Sequence, residues 1–365
     1  MNLELTDEQL ALRDTVRRYL AEKASVTSHV RPMIDDPIGT TREVWSGLAA
    51  LGATGVLVPQ EYGGSGMTMV EAGVVAEELG AALHPGPWLS SAVAATRALT
   101  RMATASNAAP LLAGIADGST IATVGPLNRP RPTAEASADG VMLHGAVDAL
   151  PDAVGAGVLL VLAEDRDGTG LFAVDGSADG VCAADRTRAD QTRKTFDVTL
   201  DLVPAQRLAS PSEADVQALV DDVLIAYAAD ALGTATAVMN LAVEYAKVRR
   251  QFDQPIGSFQ AVQHLCVDMY ETVELARSGV LHALWAADAA PPAQRHLAAL
   301  RAKAFSGRLA TVADTAIQVL GGIGYTWEHD AHLYLKRLLG WSAFLGGSDG
   351  YLQEVGRQLA METSG

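Results

Sequence analysis

Leu10, Val16, Tyr19 and Leu20 recur at roughly helical spacing behind a capping box at Thr6 to Gln9, so the chain opens with an amphipathic helix. A second helical pattern runs through VWSGLAALGATG and stops at glycines. VLVPQEYGGSGMT reads as a loop, and MVEAGVVAEELGAAL as a third helix with Pro85 and Pro87 just past its end. Helical segments continue to about Ala116. From Ser119 the pattern shortens to strand-like runs, TIATVGP, GVMLHGAV, GVLLVLAE, GLFAV and KTFDVTLDLVP, separated by DG, DRDG and DGSADG turns. These predict a small antiparallel β domain. From about Glu213 long helices return, with VDDVLIAYAADALGTATAVMNLAVEYAKVRR nearly unbroken. The expected architecture is α+β: helical over 1–118, β over 119–212, and over 213–365 a helical bundle apolar enough to bury further surface against partner subunits. No internal repeat is present.

Composition narrows the picture. At 365 residues the chain suits two or three domains, and 49% hydrophobic against 19% charged residues indicates a well-buried globular protein. No apolar run approaches the roughly 20 residues of a membrane span, and the N-terminal helix lacks the apolar centre of a signal peptide. Two cysteines, Cys182 and Cys266, imply no disulfide framework and fit a reducing cytosol. A formal charge of −16 argues against nucleic acid, which needs clustered Lys and Arg. Any anionic ligand must therefore be held by local groups and not by the overall field. No metal site is predicted. GGSG at Gly63 to Gly66 has neither the preceding strand nor the lysine of a phosphate loop and reads as a turn.

Candidate chemistry lies in the C-terminal third. Tyr245 to Gln260, YAKVRRQFDQPIGSFQ, and Ala316 to Trp327, AIQVLGGIGYTW, resemble the flavin-binding end of the acyl-CoA dehydrogenase family. The resemblance spans nearly the whole chain, is most specific in RRQFDQPIGSFQAVQH and QVLGGIGYTWEH, and is weakest in the β domain. It implies that family's fold, an N-terminal helical domain, a middle β domain and a C-terminal four-helix bundle, with FAD as cofactor. By resemblance the cofactor-binding residues are Arg249, Gln251, Phe252, Ile256, Gln260, Gln318, Val319, Gly321 and Gly322. A guanidinium such as that of Arg249 binds a pyrophosphate through charge-assisted bonds. If Arg249 and Phe252 lie on a helix, three residues apart, they share a face, and the Phe252 ring then covers apolar parts of the cofactor. Gln260, at the end of the following loop, reaches the adenosine. Gln318 sets an amide beside glycine backbone that a ligand approaches closely. In the family these residues reach FAD bound mainly by a neighbouring subunit, which implies an oligomer. The plainer reading keeps Arg249 and Arg250 as a solvated helix end and GGIG as a helix C-cap. Asp253 stands where the family usually has glycine.

The rest of that active site is missing. Family members abstract an α-proton of an acyl-CoA thioester with a glutamate found at one of two sequence positions. Here one falls on Leu345 or Gly346 and the other on Val223. Asp222 is adjacent to the second, but one helical residue turns it by about 100°. Asp221 is turned further still, and both read as acidic residues near a helix N-terminus. The Glu-Pro and Gly-Ser-Asp loop and the Trp-Ile-Thr strand that hold the flavin ring are replaced by VGPLNRPRPTAEAS and AVDALPDAVGAG. FLGGSDGYLQEVGRQLA resembles the degenerate subunit type of actinobacterial α2β2 heterotetramers that shorten steroid side chains. The resemblance therefore implies a half-site chain, whose catalytic acyl-CoA dehydrogenase partner supplies the base and the ring pocket. Two other readings stay open: a self-sufficient homo-oligomer using Asp222, Asp221 or another base, and a flavin-free structural subunit.

Overall fold

The computed structural model describes residues 4–137 and 140–362. Its helices and strands follow the predicted order. The N-terminal helices are α1 (Asp7–Lys23), α2 (Arg42–Ala50), α3 (Met69–Ala81), α4 (Thr96–Met102) and α5 (Ala105–Ala116), with a buried π-helical run at Leu89–Ala95 leading into α4. The expected box at Thr6 and Gln9 caps α1, and a second, Thr68 with Glu71, caps α3. Gly63 and Gly66 take positive φ in the turn before α3, as the GGSG reading required.

Seven strands follow: β1 (Ala122–Gly125), β2 (Thr133–Ser137), β3 (Gly140–Pro151), β4 (Val158–Asp165), β5 (Gly168–Asp175), β6 (Val181–Asp185) and β7 (Thr195–Ala209). They pair in the order β4-β2-β3-β7-β5, and β5 returns to β4, so the sheet closes on itself, with β6 added on β7. This corrects the expectation of a purely antiparallel domain, because β1 and β2 both run parallel to β4. β2 and β6 were not predicted from the sequence: they bury one residue between them, so no apolar alternation marks them. The continuous apolar run of β4 has the opposite cause. Leu159 and Val161 point into the closed sheet while Leu160 and Leu162 pack against the helices.

The second helical part comprises α6 (Glu213–Val248), the two-residue strands β8 (Arg250–Gln251) and β9 (Gln254–Pro255), then α7 (Gln260–Ala289), α8 (Pro292–Ala304), α9 (Ser306–Leu320), α10 (Ala331–Ala343) and α11 (Ser348–Glu362). A Ser212–Asp215 capping box starts α6. By length and hydropathy α6 passes for a membrane span, unlike the expectation from apolar runs, but 83% of its most apolar window is buried inside the protein, which makes it the core helix of the bundle. It touches α3 almost backbone to backbone. A Cβ on Gly80 would fall 1.9 Å from the Asp230 carbonyl oxygen, and one on Gly233 would fall 1.8 Å from that of Glu77.

A buried guanidinium joins all three parts of the chain. Arg337 of α10, 2% exposed, donates to the carbonyls of Leu83 and His84 behind α3 and to the carbonyl and hydroxyl of Thr192 before β7. It also lies 3.4 Å from the Asp230 carboxylate of α6, which Arg193 binds as well. Lys194 reaches back to the carbonyls of Met33 and Ile34. These groups satisfy one another, as buried charge requires.

Candidate functional site

The first motif forms a hairpin between α6 and α7. Helix α6 stops at Val248, Arg249 caps it, and Phe252 and Asp253 turn the chain between β8 and β9 at φ of 51° and 65°. Arg249 and Phe252 therefore do not share a helical face, which corrects the spacing argument. Two left-handed residues are what a two-residue hairpin turn demands, and the short polar side chain of Asp253 tolerates that conformation where glycine would meet it freely. Phe252 is 86% exposed and packs edge-on against Phe259, with centroids 6.0 Å apart. Arg250 is engaged with the Asp253 carbonyl and the Gln251 amide with the Arg250 carbonyl. Among the described residues no carboxylate pairs with the exposed Arg249 side chain. Ile256 is half-buried against the core, and Gln260 is the exposed first residue of α7 and not part of a loop.

The second motif ends α9. Gly321, at φ 67°, donates its N–H to the Ile317 carbonyl and turns the chain into a short 3-10 segment, Gly321–Tyr325. GGIG is thus a helix C-cap in geometry. It is also open: a Cβ on Gly321 or Gly322 would meet nothing within 4 Å. Gln318 is exposed beside it, whereas Val319 is buried in the core and offers a ligand only its backbone. Beyond the cap, Tyr325 and Trp327 are 70% and 56% exposed. No hydrogen bond or ion pair joins the two motifs among the described residues, although α9 packs against both α6 and α7. Among the described residues, a guanidinium without a carboxylate partner, exposed amides, open glycine backbone and partly exposed aromatic rings fit the pyrophosphate and adenosine of FAD.

Neither position at which the family places its base carries a carboxylate: Val223 lies in α6, and Leu345 and Gly346 lie just past α10. Val223 is buried in a cluster against which Tyr227, one turn further along α6, and Phe344 also pack. Tyr227 and Phe344 stack with centroids 4.4 Å apart and planes 9° from parallel, and Trp341 extends the stack at 6.0 Å from Tyr227. Leu345 follows at φ 52°, its carbonyl accepting from the Tyr351 hydroxyl at 2.8 Å. Lys303 is fully buried and donates to the carbonyls of Trp341 and Ser342, which fixes the end of α10 just before Phe344. Burial pushes its ammonium down to about 7. The stack and Lys303 escaped the sequence reading. The only clue was that Tyr227 and Phe344 neighbour the two base positions.

Asp221 and Asp222 do not sit at a helix N-terminus, which corrects that expectation. They lie inside α6 and are buried in ion pairs. Arg101 holds both oxygens of Asp222, at 2.6 and 3.0 Å, with Arg97 at 3.4 Å. Burial pushes this carboxyl up and the arginines oppose the shift. Asp221 accepts from Gln217 and meets His296 Nδ1 at 2.8 Å. That contact raises the His296 pKa above its ordinary 6.5. A raised folded value means that the stabilisation is complete below pH about 6.5 and is lost as pH rises through the folded value. His296→Gln should therefore lower stability more at pH 6 than at pH 8.5 in urea unfolding. An equal loss at both pH values would remove the ion pair from the account.

Comparison with known proteins matches the fold over nearly the whole chain. The family model of the acyl-CoA dehydrogenase N-terminal domain matches residues 6–119, and that of the C-terminal domain residues 224–360. The acyl-CoA dehydrogenase FadE34 of Mycobacterium tuberculosis is 37% identical over 96% of this chain, which spans 48% of that protein's length, about half. The structure of a variant of the Tcur3481-Tcur3483 steroid ACAD is 30% identical, with a TM-score of 0.88 over 98% of this chain and 99% of that one. The ChsE4-ChsE5 complex from Mycobacterium tuberculosis is 26% identical, with a TM-score of 0.88 over 99% of both chains. Matching both helical ends by sequence and nearly the full length by structure, this chain belongs to the acyl-CoA dehydrogenase family.

Proposed function

We propose that this chain is the half-site subunit of a heterotetrameric, FAD-dependent acyl-CoA dehydrogenase of α2β2 composition. One observation carries the reading: Tyr227 and Phe344, beside the two family positions for the base, stack on each other, and Val223, Leu345 and Gly346 carry no carboxylate, while Arg249, Phe252, Gln318 and the glycine backbone at Gly321 and Gly322 remain exposed. When bound, FAD supplies the hydride acceptor for oxidation of the Cα–Cβ bond of an acyl-CoA thioester. Arg249 binds the pyrophosphate, Phe252 shields the cofactor from water, and Gln260, Gln318 and the backbone at Gly321 and Gly322 orient its adenosine end. Gln251, Ile256 and Val319 support these groups. The ring pocket and the base come from the partner. The likeness to a structure described as a steroid ACAD and to a two-protein complex supports a steroid side-chain thioester as substrate and a dehydrogenase subunit as partner.

The test is flavin absorbance per chain together with mass from light scattering, for the chain alone and co-expressed with a neighbouring dehydrogenase subunit. The chain alone should be colourless and inactive. The complex should hold one flavin for every two chains, and added FAD should raise its melting temperature. One flavin per chain in a homotetramer that oxidises acyl-CoA would overturn the proposal. So would an assembled complex without flavin, which is what a structural subunit predicts.

A further inference from the structure

Two histidines meet in the interior, away from both motifs. His29 lies on a π-helical turn, Val26–Val30, between α1 and α2, and His84 follows α3. They are 4% and 1% exposed, and their rings stack with centroids 5.6 Å apart and planes 7° from parallel. Buried imidazoles normally find partners for both nitrogens. Here His29 Nε2, both ring nitrogens of His84 and the buried Thr40 hydroxyl have no protein partner among the described residues. The site is tight: a Cβ on Gly86 would fall 2.6 Å from His84 Nε2 and 3.0 Å from Thr40 Cβ.

The charges around the stack oppose a further proton. Arg193, before β7, and Arg337 of α10 face His84, and the carboxylate they share, Asp230 of α6, is already taken by both. Asp36 favours charge on His29, but one of its oxygens already accepts from the Ile38 and Gly39 N–H groups. Burial holds both rings below their ordinary 6.5, His84 the further. The segments that carry the rings are tied by buried cations. Lys194 donates to the Met33 and Ile34 carbonyls, and Arg337 to those of Leu83 and His84. Leu83 sits at φ 53°, a conformation that a bulky residue keeps only where its surroundings hold it.

We propose that the His29–His84 stack is an acid-operated latch: protonation of either ring parts residues 26–40 from the turn after α3 and loosens the junction of the three parts, while the helices stay folded. A proton there adds a third cation beside Arg193 and Arg337 with no carboxylate left to meet it. A histidine held neutral when closed and free to charge when open stabilises the closed state fully above pH about 6.5, and the stabilisation is lost as pH falls below it. Between pH 7.5 and pH 5.5 each ring therefore favours opening by up to about tenfold, and the pair by up to about a hundredfold.

Hydrogen exchange by mass spectrometry, corrected for the intrinsic effect of pH on exchange, tests this on the purified chain, alone and in its complex. In wild type, protection over residues 26–40 and 82–90 should fall about tenfold to a hundredfold from pH 7.5 to pH 5.5, while α6 and α9 stay protected. His84→Phe keeps a flat ring without a proton site and should limit the fall to about tenfold, and adding His29→Phe should abolish it. His296 and Asp152 are both raised, so falling pH strengthens their contributions and neither mimics the loss. His332, also lowered by burial, lies on α10, outside both segments. Equal protection at both pH values in wild type overturns the inference without any variant. So does an equal loss in α6 and α9, or a fall that persists in the double variant. Imidazole nitrogen resonances give a second reading in wild type: a stacked ring that charges near 6.5 with protection unchanged also overturns it.

Discussion

Arg249→Ala in the assembled complex is expected to weaken FAD retention about tenfold to a hundredfold, and turnover at limiting FAD should fall in parallel. The magnitude is that of a hydrogen bond to a charged group, about 1.5–3 kcal/mol. It should be large here for a structural reason. Arg250, its neighbour, is turned back onto the hairpin, while Arg249 has no carboxylate among the described residues and is free to meet a diphosphate. Arg249→Lys should recover part of the loss, since a point charge replaces a planar fork. Flavin content and affinity unchanged in Arg249→Ala, measured by equilibrium dialysis, would remove this residue from the clamp. Because the side chain is exposed and outside the core, the melting temperature without FAD should be unaffected.

Asp222→Asn should do the reverse, lowering stability by about 3–5 kcal/mol while leaving turnover per assembled complex nearly intact. Removing one member of a buried ion pair leaves the other charge without compensation. Arg101 holds Asp222 through both oxygens and is itself half-buried, so it has no easy route to water. Arg97 retains Asp288 and is less affected. Urea unfolding of wild type and variant gives the stability change, and turnover normalised to assembled complex gives the catalytic one. If turnover collapses while stability holds, Asp222 is the base, and a self-sufficient enzyme becomes the better reading.

Local patterns in the chain foretold the elements, and non-local partners decided their roles. Helices and core strands were legible because their apolar periods differ. β2 and β6 were not, because nearly every side chain on them faces solvent. The residues proposed to hold the cofactor stood out as motifs, but helical spacing placed Phe252 wrongly, since α6 ends one residue before Arg249. The absence of a carboxylate at the two family positions was legible at Val223 and Leu345. The aromatic side chains packed beside them were not. The Tyr227–Phe344 stack joins two helical segments far apart in the chain, and Asp222 finds its arginine 121 residues upstream. No periodicity reports contacts of that kind.

The Arg337 junction bears on how such a chain arises. Its hydrogen bonds end on backbone carbonyls, Thr192 and Asp230, and none involves a residue proposed to hold the cofactor or a residue at the two base positions. Scaffold and chemistry therefore depend on separate sets of side chains. On the half-site proposal, a chain without a carboxylate at either base position thus still folds with its three parts in register. Shape is kept by groups that take no part in the proposed chemistry, so the chain can serve as the fitted half of a partner's site.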